Sequence, residues 1–161
     1  MLFAVFKWLE HNSWIVAIDS TAVESAVLLI VHYFGFFLLV GSIAVVNLRL
    51  LGVGVPGETA GRLGKQIFST MWTGLVLSLL SGFILFAGSA TQYYNNQVFY
   101  LKVLIVLLAI VCTVIIQWNV SSWDRLPAVP VWAKWLAFVS IALWIGAILI
   151  GVEIPGLTGV G

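Results

Sequence analysis

Few side chains in this sequence could do chemistry, and those few stand near the ends of long apolar runs. His32 is the one interruption in a stretch that is otherwise apolar or small from Ala26 to Val46. Lys102 opens a later run, Glu153 closes the last, and Tyr93, Tyr94 and Tyr100 flank Lys102. An ionisable group inside an apolar span is costly, so it marks a functional site by default. His32 has two readings: a structural imidazole with both ring nitrogens satisfied, or a ligand or proton relay. Lys102 suits a snorkelling ammonium as well as a site cation, and Glu153 suits a solvated helix end as well as a site carboxylate.

These residue types limit the chemistry. A haem with two axial histidines needs a second histidine on a facing span, and His11 lies in a polar N-terminal segment instead. Met71 falls near the opposite end of its span from His32, so two buried haems are excluded. A single haem b would rest on His32 alone or on an unusual partner. One cysteine, two methionines and two histidines do not converge on a copper or zinc site. Cys112 has no disulfide partner within the chain and reads as a small apolar filler. A quinone site asks less, an apolar groove with one or two donors near a leaflet boundary, and His32, Lys102 and the tyrosines could supply them. No catalytic triad, phosphate loop or metalloprotease motif appears, so no catalytic activity of its own is expected. Net charge is +1 with no basic tract, which excludes nucleic acid as a partner.

The elements that must position these groups are helices in lipid. Of the 161 residues, 62% are hydrophobic and only 8% charged, against about 25% charged in a soluble domain. The apolar residues fall into runs long enough to cross a bilayer, which needs about 20 residues at 1.5 Å rise each. The expected fold is all-α: one membrane domain over 1–161, a four-helix antiparallel bundle preceded by a short interfacial amphipathic helix. The spans are expected at roughly 22–48, 66–88, 98–119 and 131–152, after an interfacial segment at 2–19. Lys7, Glu10, His11 and Asn12 interrupt that first segment, so it does not read as a cleaved signal peptide. Ser20 or Thr21 with Glu24 resembles a capping box opening the first span. Glycines and prolines between Gly52 and Gly61, and Pro127 and Pro130 later, break the helices.

Arg49, Arg62 and Lys65 flank the loop after the first span, and Arg125 and Lys134 flank the loop after the third. By the positive-inside tendency both loops are cytoplasmic and both termini face outward, periplasmic if the host is a bacterium with this chain in its inner membrane. Counted along the helical rise, His32 then lies roughly 10–15 Å and Lys102 roughly 5 Å below the outer boundary. Residues at helical spacing give each span a seam. In the first it is His32, Gly35, Leu39, Ser42, Val46 and Arg49, and in the second Met71, Gly74, Ser78, Ser81, Leu85 and Gly88. The third reads Lys102, Ile105, Ala109, Cys112, Ile116 and Asn119, and the fourth Trp135, Val139, Ala142, Gly146, Leu149 and Glu153. Such small and polar seams serve helix packing in lipid, and they also suit a narrow polar interior.

The order and spacing of short motifs carry one resemblance. His32-x-x-Gly35, Asn47-Leu48-Arg49-Leu50-Leu51-Gly52, Gly82 to Phe86, Tyr94 and Asn96 before Phe99-x-x-Lys102, and Ser140 with Leu143-Trp144-x-Gly146 resemble a family of small four-span bacterial membrane proteins of unknown function. That family is distantly similar to the membrane domain of copper-resistance protein D and to HemJ-type protoporphyrinogen oxidases, which pair a first-span histidine with a lysine opening a later span. The resemblance implies a porphyrin, haem or metal role. The family usually has aspartate where this chain has Asn47, and arginine where it has Val152.

The expectation is a small membrane subunit of a redox or cofactor-handling assembly. His32, Lys102, Tyr94 and Glu153 are its candidate site for a haem, quinone or lipid ligand, and Arg49 and Asn47 are anchors at the inner side. The alternatives are a purely structural subunit packed against larger membrane partners or against copies of itself, and a small carrier or channel.

Overall fold

The computed structural model describes residues 2–18, 21–54 and 57–158, and the side chains of these except Leu2 and residues 152–158. Every regular element among the described residues is a helix: α1 (Leu2–Glu10), α2 (Ser13–Ile18), α3 (Ala22–Leu50), α4 (Ala60–Gly88), α5 (Ala90–Tyr93), α6 (Gln97–Trp123) and α7 (Val131–Thr158). Helices α3, α4, α6 and α7 are each long and apolar enough to cross a bilayer, so the chain is a multi-pass membrane protein.

Local sequence explains where the helices start and stop. Thr21 opens α3 with a complete capping box: its hydroxyl accepts from the Glu24 N–H, and the Glu24 carboxylate accepts from the Thr21 N–H. Thr59 caps α4 and the Asn96 side chain caps α6. Between α1 and α2, His11 Nδ1 lies 2.9 Å from the Lys7 carbonyl, and the Asn12 side chain accepts from the Trp14 N–H. In the loop after α3, Gly52, Gly54 and Gly57 all have positive φ, which a side chain would oppose. Helix α4 reaches six residues further back than its apolar stretch, because Gly61 continues the helix rather than breaking it. The Gly61 N–H donates to the Asp124 carboxylate at the end of α6, 2.9 Å away.

The four long helices form a ring in which each touches two neighbours: α3 meets α4 and α7, and α6 meets α4 and α7. Short connections make successive helices antiparallel. The most extensive contact is α3 with α4, and glycine explains it. A Cβ placed on Gly74 would sit 2.6 Å from the Gly35 carbonyl oxygen, and one placed on Gly35 would sit 2.8 Å from the Gly74 carbonyl oxygen. The two backbones therefore meet with no side chain between them. In lipid, where no hydrophobic force drives helices together, such close van der Waals approach is what holds them. One core cluster joins Leu39, Ile43, Met71, Leu75, Ala109 and Trp144 near mid-bundle. A second includes Val46, Leu50, Ala60, Val120, Trp123 and Ala137, toward the end that carries the loops after α3 and α6. That is the basic end; α1, α2 and α5 lie at the opposite, aromatic end.

The seams of α3 and α4 each hold in part, and at the end of α4 Ala87 is buried while Leu85 and Gly88 are only half-buried. Gly35, Leu39 and Val46 are buried in α3, and Met71, Gly74, Ser78 and Ser81 in α4. In α6 the buried line is Ala109, Thr113, Ile116, Val120 and Trp123, so Ala109 and Ile116 are shared with the expected face while Thr113 takes the place given to Cys112. The seam expected for α7 is wrong. Trp135 is 65% and Leu149 61% exposed, while Ala133, Ala137, Ser140, Trp144 and Ala147 turn inward. Helix α7 is apolar all round, so periodicity does not select its face. Trp144 does: its indole N–H donates to the Thr113 hydroxyl at 3.2 Å inside the bundle.

At the aromatic end, α1 packs on α5 and the end of α4. Phe6 meets Phe86 and Tyr94 edge-on, Phe3 meets Tyr94, and Phe86 stacks on Phe99 with centroids 4.9 Å apart. The Glu10 carboxylate accepts from the Thr91 N–H at 3.0 Å, joining the end of α1 to the start of α5. Trp8 and Trp14 remain 64% and 77% exposed, as suits rings at a membrane interface.

Candidate functional site

His32 is built into the tight α3–α4 contact, one turn from Gly35. Its ring lies over Gly82, where an added Cβ would come 2.7 Å from the imidazole Cε1 and 2.9 Å from Nδ1. Only glycine leaves that bed open. Nδ1 is 2.8 Å from the Ser78 carbonyl oxygen, with the Ser78 and Ser81 hydroxyls each at 3.4 Å. A carbonyl oxygen only accepts, so Nδ1 carries the proton and donates. The Ser81 hydroxyl points its own hydrogen to the Leu77 carbonyl at 2.6 Å. The Ser78 carbonyl is a backbone acceptor, which fixes both the tautomer and the ring plane. In the neutral imidazole this leaves Nε2 as a lone-pair donor, and it has no protein partner among the described residues. A backbone carbonyl on one ring nitrogen and an open second nitrogen is the arrangement that histidine ligands use.

Lys102, half-buried in the second turn of α6, lies at the same end of the bundle as His32, since α3 and α6 both begin there. It reaches across to α7, where a Cβ on Gly151 would lie 3.4 Å from the Lys102 Nζ. Lys102 therefore turns into the bundle at the aromatic end, on the side where α6 meets α7. Tyr94 goes elsewhere. It stands under α1 in ring contact with Phe3 and Phe6, and its carbonyl accepts the Tyr100 hydroxyl at 2.9 Å. Its neighbour Tyr93 stacks near Phe86 and Phe99, and burial pushes its phenol above the ordinary range. The side chain of Glu153 lies outside the described residues. Met71 is 1% exposed within the mid-bundle core.

At the basic end, the Arg49 Nε–H donates to the Glu58 carbonyl and so holds the loop before α4. Asn47 is 1% exposed and Ser140 0% exposed, and among the described residues neither the Asn47 amide nitrogen nor the Ser140 hydroxyl has a partner. Among the described residues no three His, Cys, Asp or Glu side chains group to hold a metal ion. His32 thus offers one ligand nitrogen rather than a cage.

Sequence reasoning placed Ser78 and Ser81 on an inward seam but did not pair them with His32, since nothing in one span says which neighbour it faces. The role of Gly82 as the bed of the imidazole, and the tie from Asp124 to α4, had no signal at all. No protein-family model, curated protein or solved structure matches this chain.

Proposed function

We propose that the chain is a small integral membrane subunit of a redox or cofactor-handling assembly, with a ligand site at His32 and Lys102. One observation carries this reading: the imidazole is locked by the Ser78 carbonyl and Gly82 so that Nε2 is left open, with the Lys102 ammonium at the same end of the bundle. His32 is only half-buried, and its Nε2 is not one of the buried unpaired polar atoms among the described residues, so a ligand can reach that nitrogen from outside the contact. The donor set fits a ligand with one electrophilic or hydrogen-bonding centre for Nε2 and an anionic or carbonyl group for the ammonium. Haem b, with propionates that Lys102 would pair, and a quinone both have this form, and so does a lipid headgroup. Haem, when bound, would supply one-electron chemistry; the chain would supply the fixed imidazole and the cation.

The basic residues flanking the loops after α3 and α6 support a cytoplasmic side for those loops, and with it an outer-leaflet site and periplasmic termini in a bacterial inner membrane. The test is an absorption spectrum, with quinone extraction, of protein purified gently from its native membrane. A Soret band or bound quinone that His32→Ala removes, with the helical fold retained, is the expected result. A colourless, quinone-free protein whose assembly is indifferent to His32→Ala would replace this reading with that of a structural subunit.

A further inference from the structure

At the basic end the four long helices meet around an open cleft of about 370 Å³, within the range of small-ligand sites. Its wall carries Arg49 from the end of α3, Asp124 just past α6 and Lys134 in the first turn of α7. The nearby carboxylates are engaged with other groups. Glu58 pairs with Arg62 at 3.2 Å, the one ion pair among the described residues. Asp124 Oδ2 accepts the Gly61 N–H at 2.9 Å. Neither carboxylate forms an ion pair with Arg49 or Lys134.

Arg49 is also oriented. Its Nε–H is committed to the Glu58 carbonyl, which fixes the guanidinium plane and leaves both Nη groups without a protein acceptor among the described residues. A guanidinium held in this way offers a planar pair of donors that matches two oxygens of one phosphate, and Lys134 adds a mobile point charge. We propose that this cleft binds a phosphate group, presented by a phospholipid headgroup at the membrane surface or by a free phosphate. Asp124 sets the preference. Two cations and one carboxylate suit the single charge of a phosphodiester better than the near-double charge of free phosphate, so the lipid headgroup is favoured. This inference is independent of the His32 site.

The test is calorimetric titration of the full chain in a non-ionic detergent with three probes: short-chain dihexanoyl phosphatidylglycerol, inorganic phosphate, and a dihexanoyl glycerol with no phosphate. Phosphatidylglycerol should bind, Arg49→Gln should weaken it about tenfold or more, and Lys134→Gln should weaken it severalfold, as expected for lost charge-assisted hydrogen bonds. Asp124→Asn keeps an acceptor for the Gly61 N–H and removes a negative charge, so it should tighten binding of either phosphate. Should Arg49→Gln unfold, Arg49→Lys keeps the charge without the planar donor pair and should still bind more weakly than wild type. Binding of phosphatidylglycerol alone identifies a lipid site, and binding of inorganic phosphate as well identifies a general phosphate site. Equal affinity for the phosphate-free glycerol, no binding by folded wild type, or affinities unchanged in both Lys134→Gln and the Arg49 variant would overturn the proposal.

Discussion

Alanine at Gly74 should leave the protein less stable than alanine at Gly146, although both are glycines inside spanning helices. A Cβ on Gly74 would lie 2.6 Å from two backbone atoms of α3, the Gly35 oxygen and the Leu39 nitrogen, where ordinary contact begins at 3.4 Å. Backbone atoms within a helix cannot step aside, so α3 and α4 must part by about 0.8 Å, a gap that forfeits a quarter to a half of the dispersion energy along the seam. Overpacking of this kind costs about 1–3 kcal/mol. Against it stands the helix-propensity gain of about 1 kcal/mol that any Gly→Ala change brings. At Gly146 an added Cβ meets nothing within 4 Å, so only the propensity gain remains. Gly74→Ala should therefore lose about 0–2 kcal/mol while Gly146→Ala gains up to about 1 kcal/mol, so the two should differ by about 1–3 kcal/mol. Reversible unfolding in mixed micelles of rising dodecyl sulfate fraction, followed by tryptophan emission, measures both. Two variants that agree within about 0.5 kcal/mol, or fall in the reverse order, would refute the backbone-contact account of the α3–α4 pair.

Gly82→Ala should push the imidazole off its bed and lengthen its bond to Ser78, so any ligand signal that depends on His32 should weaken or shift in absorbance while the fold persists; an unchanged spectrum would separate ligand from histidine. Trp144→Phe should cost about 1–2 kcal/mol through the lost bond to Thr113 and the smaller ring, whereas Trp135→Phe, on an exposed face, should cost less than about 0.5 kcal/mol in the same micelle assay. Hydrogen bonding from Thr91, through its hydroxyl and then its backbone N–H, holds the Glu10 carboxyl below the usual range, with desolvation opposing. A depressed carboxyl stabilises its docked state above its free pKa and loses that contribution as pH falls through the docked pKa. The α1–α5 tie should thus loosen below about pH 4, and Glu10→Gln should remove the pH dependence; hydrogen exchange of the Thr91 amide reads both.

Much of this architecture is legible in the chain itself, because a bilayer admits few backbone solutions. Runs of more than 20 apolar residues must be helices, since no other open structure satisfies every peptide group in lipid. The Thr21–Glu24 box and the glycines at 52, 54 and 57 mark where α3 begins and where the chain turns after it. His32 was recognisable as the group to explain because an ionisable side chain in that setting demands a partner. The partner was not recognisable. Four spans of nearly uniform hydrophobicity carry little information about which face turns inward, and α7 shows the consequence: its inward face follows Ser140 and Trp144 rather than the small residues at 142 and 146. What tertiary structure alone decided is contact across helices. It put Gly35 against Gly74, laid His32 on Gly82 beneath a Ser78 carbonyl, drew Lys102 to Gly151, and carried Tyr94 away to α1. Hydropathy measures transfer from water into lipid, and so it finds the spans. Close approach and directed hydrogen bonds choose among helix faces that lipid receives equally well, and these exist only once the helices have met.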